Sequence, residues 1–336
     1  MGPNYVTGGS LRIDTLSTHD GEARSGLPGG NALYAAVGAA LWRESVGVWA
    51  RVGNNYPQAW LTQLSAYGLA DQGVIHLPEP QDHRTFYAYL PDGRRDDANP
   101  AAHFARINQP LPSFLQDYVH STLGQDDPVH YEPLALRPDD WPTAYAQARA
   151  VHLSPLSICT HRDTPPFLRA AGMRQITVDP GERYMTPALA HLIRHFLPSV
   201  TAFLPSDQEI RSLFGAEVDQ VEAARTLAAW GAPLVVIKRG ADGVLLYERE
   251  PERVTELAAF HAPGDPRVID VTGAGDAFCG GFMVGLDRTG DPRQAACYGL
   301  ASASLVIEGY GALYAFSRDP AAAWQRLDIV SRRSPM

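Results

Sequence analysis

Cysteine is scarce in this sequence: Cys159, Cys279 and Cys297 are the three in 336 residues. An odd count with no close pair argues against a disulfide framework and against a thiolate metal site, and it suits a reducing compartment. Long apolar runs are also lacking. None approaches the roughly 20 residues needed to span a bilayer. The start, Met1-Gly2-Pro3-Asn4-Tyr5, shows no basic stretch followed by an apolar run, so no signal peptide is read. The expectation is a soluble cytoplasmic protein with no membrane partner. Positive charge is in short supply, with 28 Lys and Arg against 37 Asp and Glu, a net charge of −9. No positive field is available to neutralise nucleic-acid phosphates, so no nucleic-acid partner is expected. Three catalytic signatures are missing: Gly-x-x-x-x-Gly-Lys-Ser/Thr, Gly-x-Ser-x-Gly and His-Glu-x-x-His. The eleven histidines are scattered; His191 and His195, four apart, read as surface or interhelical residues. There is no internal repeat and no low-complexity segment.

What is present is an alternation of strand-like and helix-like stretches, the pattern of a mostly parallel sheet covered by helices. Residues Asn31 to Arg43 are rich in alanine and read as a buried helix, with Ser45 to Val52 as the next strand. Short apolar runs at Val151–Leu153, Ile176–Asp179, Ala202–Leu204 and Leu234–Ile237 end in polar or turn residues and read as buried parallel strands. Val221 to Trp230 and Asp276 to Leu286 read as helices. Two stretches depart from this pattern. Arg12–Ser25 and Val74–Arg94 are polar, alternating and turn-rich, which predicts half-exposed antiparallel strands forming a small sheet. Ala98 to Thr143, rich in Pro, Asp and His, reads as an irregular connection with some short helix.

The strongest chemical signal is the run from Val268 to Phe282, VIDVTGAGDAFCGGF. A short apolar strand end enters a glycine turn, and the turn opens an apolar helix. Glycine lets the backbone turn tightly and lets a ligand approach it. The first amides of a helix lack intrahelical partners and lie at the positive end of the dipole, so Gly273, Ala274 and Gly275 form a candidate anion site. Asp276 beside them can accept a proton from an attacking hydroxyl. Neighbouring cationic or dipolar donors are expected to keep it ionised at neutral pH. An aspartate at a helix start is also favoured for purely structural reasons, and it is the whole run that points to phosphoryl transfer.

The run Asp270-Val271-Thr272-Gly273-Ala274-Gly275-Asp276 resembles the C-terminal signature of the ribokinase (PfkB) family of carbohydrate and nucleoside kinases. The resemblance implies a ribokinase-like α/β fold in one domain over 1–336, with a β-lid from about 11–25 and 74–110. It implies ATP and Mg2+ as cofactors, Asp276 as base and Gly273–Gly275 as anion hole. A monovalent cation such as K+ would sit at Asp270 and Thr272.

Other motifs extend the resemblance in order along the chain, from Asp14 to Gly311. Asp14, in Gly9-Ser10-Leu11-Arg12-Ile13-Asp14 after the first strand, would grip two substrate hydroxyls with its two oxygens. Gly29-Gly30-Asn31 resembles the family's glycine pair at the substrate, although Asn31 is also a good helix N-cap. Phe203 to Glu209 (FLPSDQE) resembles the Asn-x-x-Glu motif, with Ser206 where asparagine is usual and Glu209 as the residue that would hold Mg2+ through water. Lys238-Arg239-Gly240-Ala241-Asp242-Gly243 resembles the nucleotide-contacting turn. Ser304 and Gly309 lie in the small-residue helix and turn that border an adenine pocket, and Asp179-Pro180-Gly181-Glu182-Arg183 receives no firm role. The implied acceptor is a sugar-like small molecule or a nucleoside, and the implied assembly is a homodimer through the lid. Two rivals stand beside this reading: a catalytically idle sugar or nucleotide binder, and a vitamin-alcohol kinase on the same fold.

Overall fold

The computed structural model describes residues 2–18, 21–90 and 95–333. Its strands are β1 (Tyr5–Gly8), β2 (Arg12–Ser17), β3 (Ala23–Gly29), β4 (Val46–Val52), β5 (Leu69–His76), β6 (Arg84–Tyr89), β7 (Arg95–Asp96), β8 (Ala150–Leu153), β9 (Gln175–Val178), β10 (Ala202–Phe203), β11 (Leu234–Lys238), β12 (Val244–Glu248) and β13 (Arg253–Leu257). Nine of them form one sheet in the order β13-β12-β11-β10-β9-β8-β1-β4-β5. From β5 to β11 the pairing is parallel; β12 and β13 add antiparallel at one edge.

Both faces are covered, which is why these strands read as continuous apolar runs. Side chains alternate across the sheet. Val6, Val151, Leu153, Val235 and Ile237 pack with Leu168, Ile193, Phe196 and Leu227 from the helices on one face. Tyr5, Val46, Val48 and Ala150 pack on the other face with Leu33, Val37, Met283 and Leu305. The helix Ile158–Ala170, which carries Pro165 and Pro166, was not read from the sequence; its N-cap Ser157 accepts from Thr160 N–H. No helix among the described residues is long and apolar enough to cross a membrane.

The small sheet runs β3-β2-β6-β7. Two expectations need correction here. Val74–His76 is the end of β5 and pairs with β4 in the main sheet, because Val74 and Ile75 are drawn into the two cores. The sheet is also not wholly antiparallel, since β2 and β6 pair in parallel. Of the expected lid, residues 19–20 and 91–94 lie outside the described residues.

The apolar face of the small sheet is covered within the chain. Phe86 and Ala88 pack against Phe104 and Leu115 from the 98–143 connection. The alternate residues Thr85, Tyr87 and Tyr89 therefore face the carboxyl ends of the main strands.

Candidate active site

Two helices carry the glycine turns. The helix Asn31–Ala40 packs against the helix Ala274–Thr289 closely enough that a Cβ on Gly38 would strike Ala277, and one on Gly280 would strike Ala35. This contact brings the Gly29-Gly30 turn and the Gly273–Asp276 turn to the same end of the fold. Gly273 is the N-cap of the second helix at φ 72°, a conformation that favours glycine, and a Cβ there would overlap the Tyr34 ring. The Ala274 and Ala277 amides bond to Val271 O and Gly273 O at 3.2 and 2.9 Å. Those of Gly275 and Asp276 have no hydrogen-bond acceptor among the described residues. These are the donors an anion would meet.

The segment ahead of the turn is not a strand end as expected. Ile269 and Asp270 donate their amides to Ile307 O at 2.8 and 3.2 Å, and Ile269 and Val271 are each 46% exposed. Asp270 Oδ1 instead accepts from Thr272 N–H at 2.9 Å and from the Tyr89 hydroxyl at 3.1 Å, and Tyr89 also hydrogen-bonds the Thr272 hydroxyl. The small sheet is thereby tied to the loop that leads to Asp276.

Asp14 lies on β2, after the first strand of the chain, and is 1% exposed. The Thr85 hydroxyl donates to its Oδ1, and the Tyr34 hydroxyl approaches Oδ2 at 3.4 Å. A Cβ on Gly29 would fall inside the Asp14 carboxylate, so Asp14 and the glycine pair share one wall. Burial pushes the Asp14 carboxyl up to about 6, against the pull of Thr85. The Asn31 side chain turns inward: its Oδ1 accepts from Ser10 N and Oγ at 2.7 and 3.1 Å, and its Nδ2 donates to Pro155 O at 2.5 Å.

Asp276 is the largest departure from expectation. It keeps some solvent exposure, yet burial and then the neighbouring Asp179 push its carboxyl up to about 8, while Lys238 and Arg95 pull it down. The dipole and cations expected to keep it ionised at neutral pH do not offset desolvation.

Lys238 is the single lysine of the chain, all other cationic side chains being arginine or histidine. At the end of β11 it forms an ion pair with the buried Asp179, and its Nζ lies 3.5 Å from where Gly275 would carry a Cβ. Burial opposes its charge, but Asp179 and Glu209 raise the net value well above an ordinary lysine. Asp179 Oδ1 is buried with no hydrogen-bond partner among the described residues.

Ser206 caps the helix Asp207–Phe214 in a reciprocal box: its Oγ accepts from Glu209 N–H at 3.3 Å, and its N–H donates to Glu209 Oε2 at 2.6 Å. Burial and Asp179 push the Glu209 carboxyl up to about 8. Gly240 and Gly243 flank the tight turn between β11 and β12 at φ 58° and 82°. Ser304 is buried and engaged by Arg326 at 3.1 Å, and Gly309 lies against the Tyr314 ring.

Sequence reasoning missed the contribution of the small sheet: Thr85, Tyr87 and Tyr89 on one side of β6, and Arg95, whose guanidinium lies 4.8 Å from the Tyr87 ring centroid. Their alternation at every second position was the available signal. It also left Asp179 without a role. The solitary lysine was visible in the composition.

A profile of the pfkB family of carbohydrate kinases matches residues 9–318. The chain belongs to this family, whose members are phosphotransferases acting on alcohol groups, and it is an ATP-dependent sugar or nucleoside kinase by membership. Among its relatives is a cytidine kinase of Thermococcus kodakarensis, 30% identical over 311 residues that cover 92% of this chain and 97% of the relative. The fold matches Arabidopsis thaliana ribokinase complexed with ribose and ATP (TM-score 0.71, 18% identity, 97% of this chain and 99% of that one). It also matches a Burkholderia thailandensis nucleoside kinase in complex with inosine (TM-score 0.71, 18% identity, 97% and 96%).

Proposed function

We propose that this kinase phosphorylates a hydroxyl of a sugar or nucleoside, with Asp276 as the general base. The observation that supports this most is the pairing of the partnerless Gly275 and Asp276 amides with a carboxyl poised at about 8. A base is most effective when its pKa lies near the working pH. Asp14, against Gly29, presents two acceptor oxygens to acceptor hydroxyls, which can take the place of the Thr85 and Tyr34 hydroxyls now beside it. Asp276 removes the proton of the attacking hydroxyl. The amides of the turn and Lys238 face the charge that collects during transfer.

The residues also fit a bound nucleotide and a hydrated cation. Asp179 has a buried oxygen without a donor among the described residues, and burial and the Asp179 charge drive the Glu209 carboxyl upward against the pull of Lys238. ATP supplies the phosphoryl group, and Mg2+ screens its charge. Glu209 would hold the Mg2+ waters, the Gly240–Gly243 turn with Ser206 would border the nucleotide, and Asp270 with Thr272 would hold a monovalent cation. The small sheet above the cleft, joined to the catalytic loop through Tyr89, would exclude water from the reacting groups.

The test is ADP release across free sugars, nucleosides and vitamin-type alcohols, with ATP and Mg2+. Turnover on a sugar or nucleoside supports the proposal, and turnover confined to vitamin-type alcohols contradicts it.

A further inference from the structure

Phosphoryl transfer leaves a cavity beside β2 unused. A cavity of about 250 Å³ lies between β2 and the 119–135 stretch of the irregular connection. It adjoins the acceptor wall. Ser10 lines it and donates to Asn31 Oδ1, while Asn31 donates to Pro155 O, just before Leu156 and Ser157, which also line it. Arg12 lines it from β2, two residues before Asp14 and so on the same side of the strand.

The cavity's chemistry is mixed. Arg12 is a buried guanidinium held by Asp82 O and Ser121 O at 3.0 and 3.1 Å. Glu132 Oε2 is shut from solvent with no donor among the described residues. Leu134 and Leu156 supply apolar wall, and Val119 and Leu123 stand at the lining with 53% and 63% of their surface exposed. Exposed large apolar side chains around a concave polar site are what a partly apolar ligand would cover.

The volume falls below the roughly 300–1,000 Å³ that houses a whole drug-sized ligand, so the chamber suits one ring of a substrate anchored elsewhere. A phosphate there would meet the Glu132 carboxylate, and it would compete with Asp82 O and Ser121 O for the Arg12 guanidinium. A second sugar would leave the leucines facing hydroxyls. A flat heterocycle answers both walls, with its faces on the leucines and its N–H groups toward Glu132. Burial pushes the Glu132 carboxyl up, while Ser157 and the Arg12 charge pull it down.

We propose that this chamber holds the base of a nucleoside acceptor, with Glu132 accepting a hydrogen bond from an exocyclic amino group. The proposal rests on the kinase reading above and narrows its acceptor from sugars or nucleosides to amino-bearing nucleosides.

The test measures kcat/KM with ATP and Mg2+ for cytidine, uridine, adenosine, inosine and D-ribose. Each amino-bearing nucleoside should exceed its deaminated partner and ribose by about tenfold or more, because a site built for a donor is left unpaired by an analogue lacking it. Glu132→Gln, whose amide can donate, should collapse the cytidine-to-uridine ratio by about tenfold or more. Leu134→Trp should lower the nucleoside-to-ribose ratio by filling the chamber. Ribose turned over as well as cytidine, or a ratio untouched by Glu132→Gln, overturns the proposal and leaves the kinase reading standing. If nothing is turned over, the kinase reading fails. Calorimetric binding of cytidine then decides the chamber by itself: binding weakened by Glu132→Gln supports it, and no binding overturns it.

Discussion

Lys238 donates a hydrogen bond to the buried carboxylate of Asp179 directly beneath the turn that leads to Asp276. The two members of this pair act on Asp276 in opposite directions, Asp179 raising its carboxyl pKa and Lys238 lowering it. Asp179→Asn removes the repulsion and leaves the lysine charge uncompensated. The limb of kcat/KM that rises with pH, expected near 8 in the parent, should therefore move down by about one unit. Lys238→Met should move it up. A pH profile that ignores both substitutions contradicts the assignment of that limb to Asp276.

The same carboxyls predict how stability varies with pH. Asp276 and Glu209 are raised to about 8 and Asp14 to about 6, from ordinary values of 3.8, 4.5 and 3.8. Between these ordinary values and the folded ones, the folded chain binds more protons than the unfolded chain, so stability falls as pH rises. Burial pushes His83 down to about 4 and His152 and His161 down to about 3, which makes stability rise with pH up to about 6.5, so the thermal midpoint of the ligand-free protein should decline from pH 7 to pH 8.5. Asp276→Asn should flatten the decline and exceed the parent by roughly 2 °C or more at the upper end. Scanning fluorimetry across this range would show it, and a parent midpoint that rises over the window would refute it.

Ser206, the departure from the family's asparagine, still performs the N-cap through its hydroxyl and its box with Glu209. Ser206→Ala should cost about 1 kcal/mol of stability, whereas Ser206→Asn, an equally good cap, should stay within about 0.5 kcal/mol of the parent. Urea unfolding monitored by circular dichroism distinguishes the two.

The sheet and its coverage were legible in the sequence where burial on both faces makes a run continuously apolar, as in Val235, Val236 and Ile237. The turn at Gly273–Asp276 was legible because local backbone needs fix the residue types. Contacts between distant segments were not. Nothing local in Asp179 announces that Lys238, 59 positions away, will bind it. Nor does Tyr89 announce its hydroxyl contact with Asp270, 181 positions on. The protonation of Asp276 was misjudged for the same reason. The helix start is local and favours charge, whereas desolvation and the repulsion from Asp179 arise only when the walls of the cleft meet. The 98–143 connection looked shapeless because its residues serve other elements: Phe104 and Leu115 cover the small sheet, and 119–135 walls a cavity.

The claim at the centre is that Asp276 is the base, and the direct measurement is steady-state kinetics of Asp276→Asn on the best acceptor. This isosteric change keeps the helix start and removes the proton acceptor. It should lower kcat by about 10²- to 10⁴-fold, the range supplied by a positioned base, while acceptor KM stays within a few-fold and the fold is retained. A variant that keeps kcat within about threefold of the parent, well outside that range, would contradict the assignment.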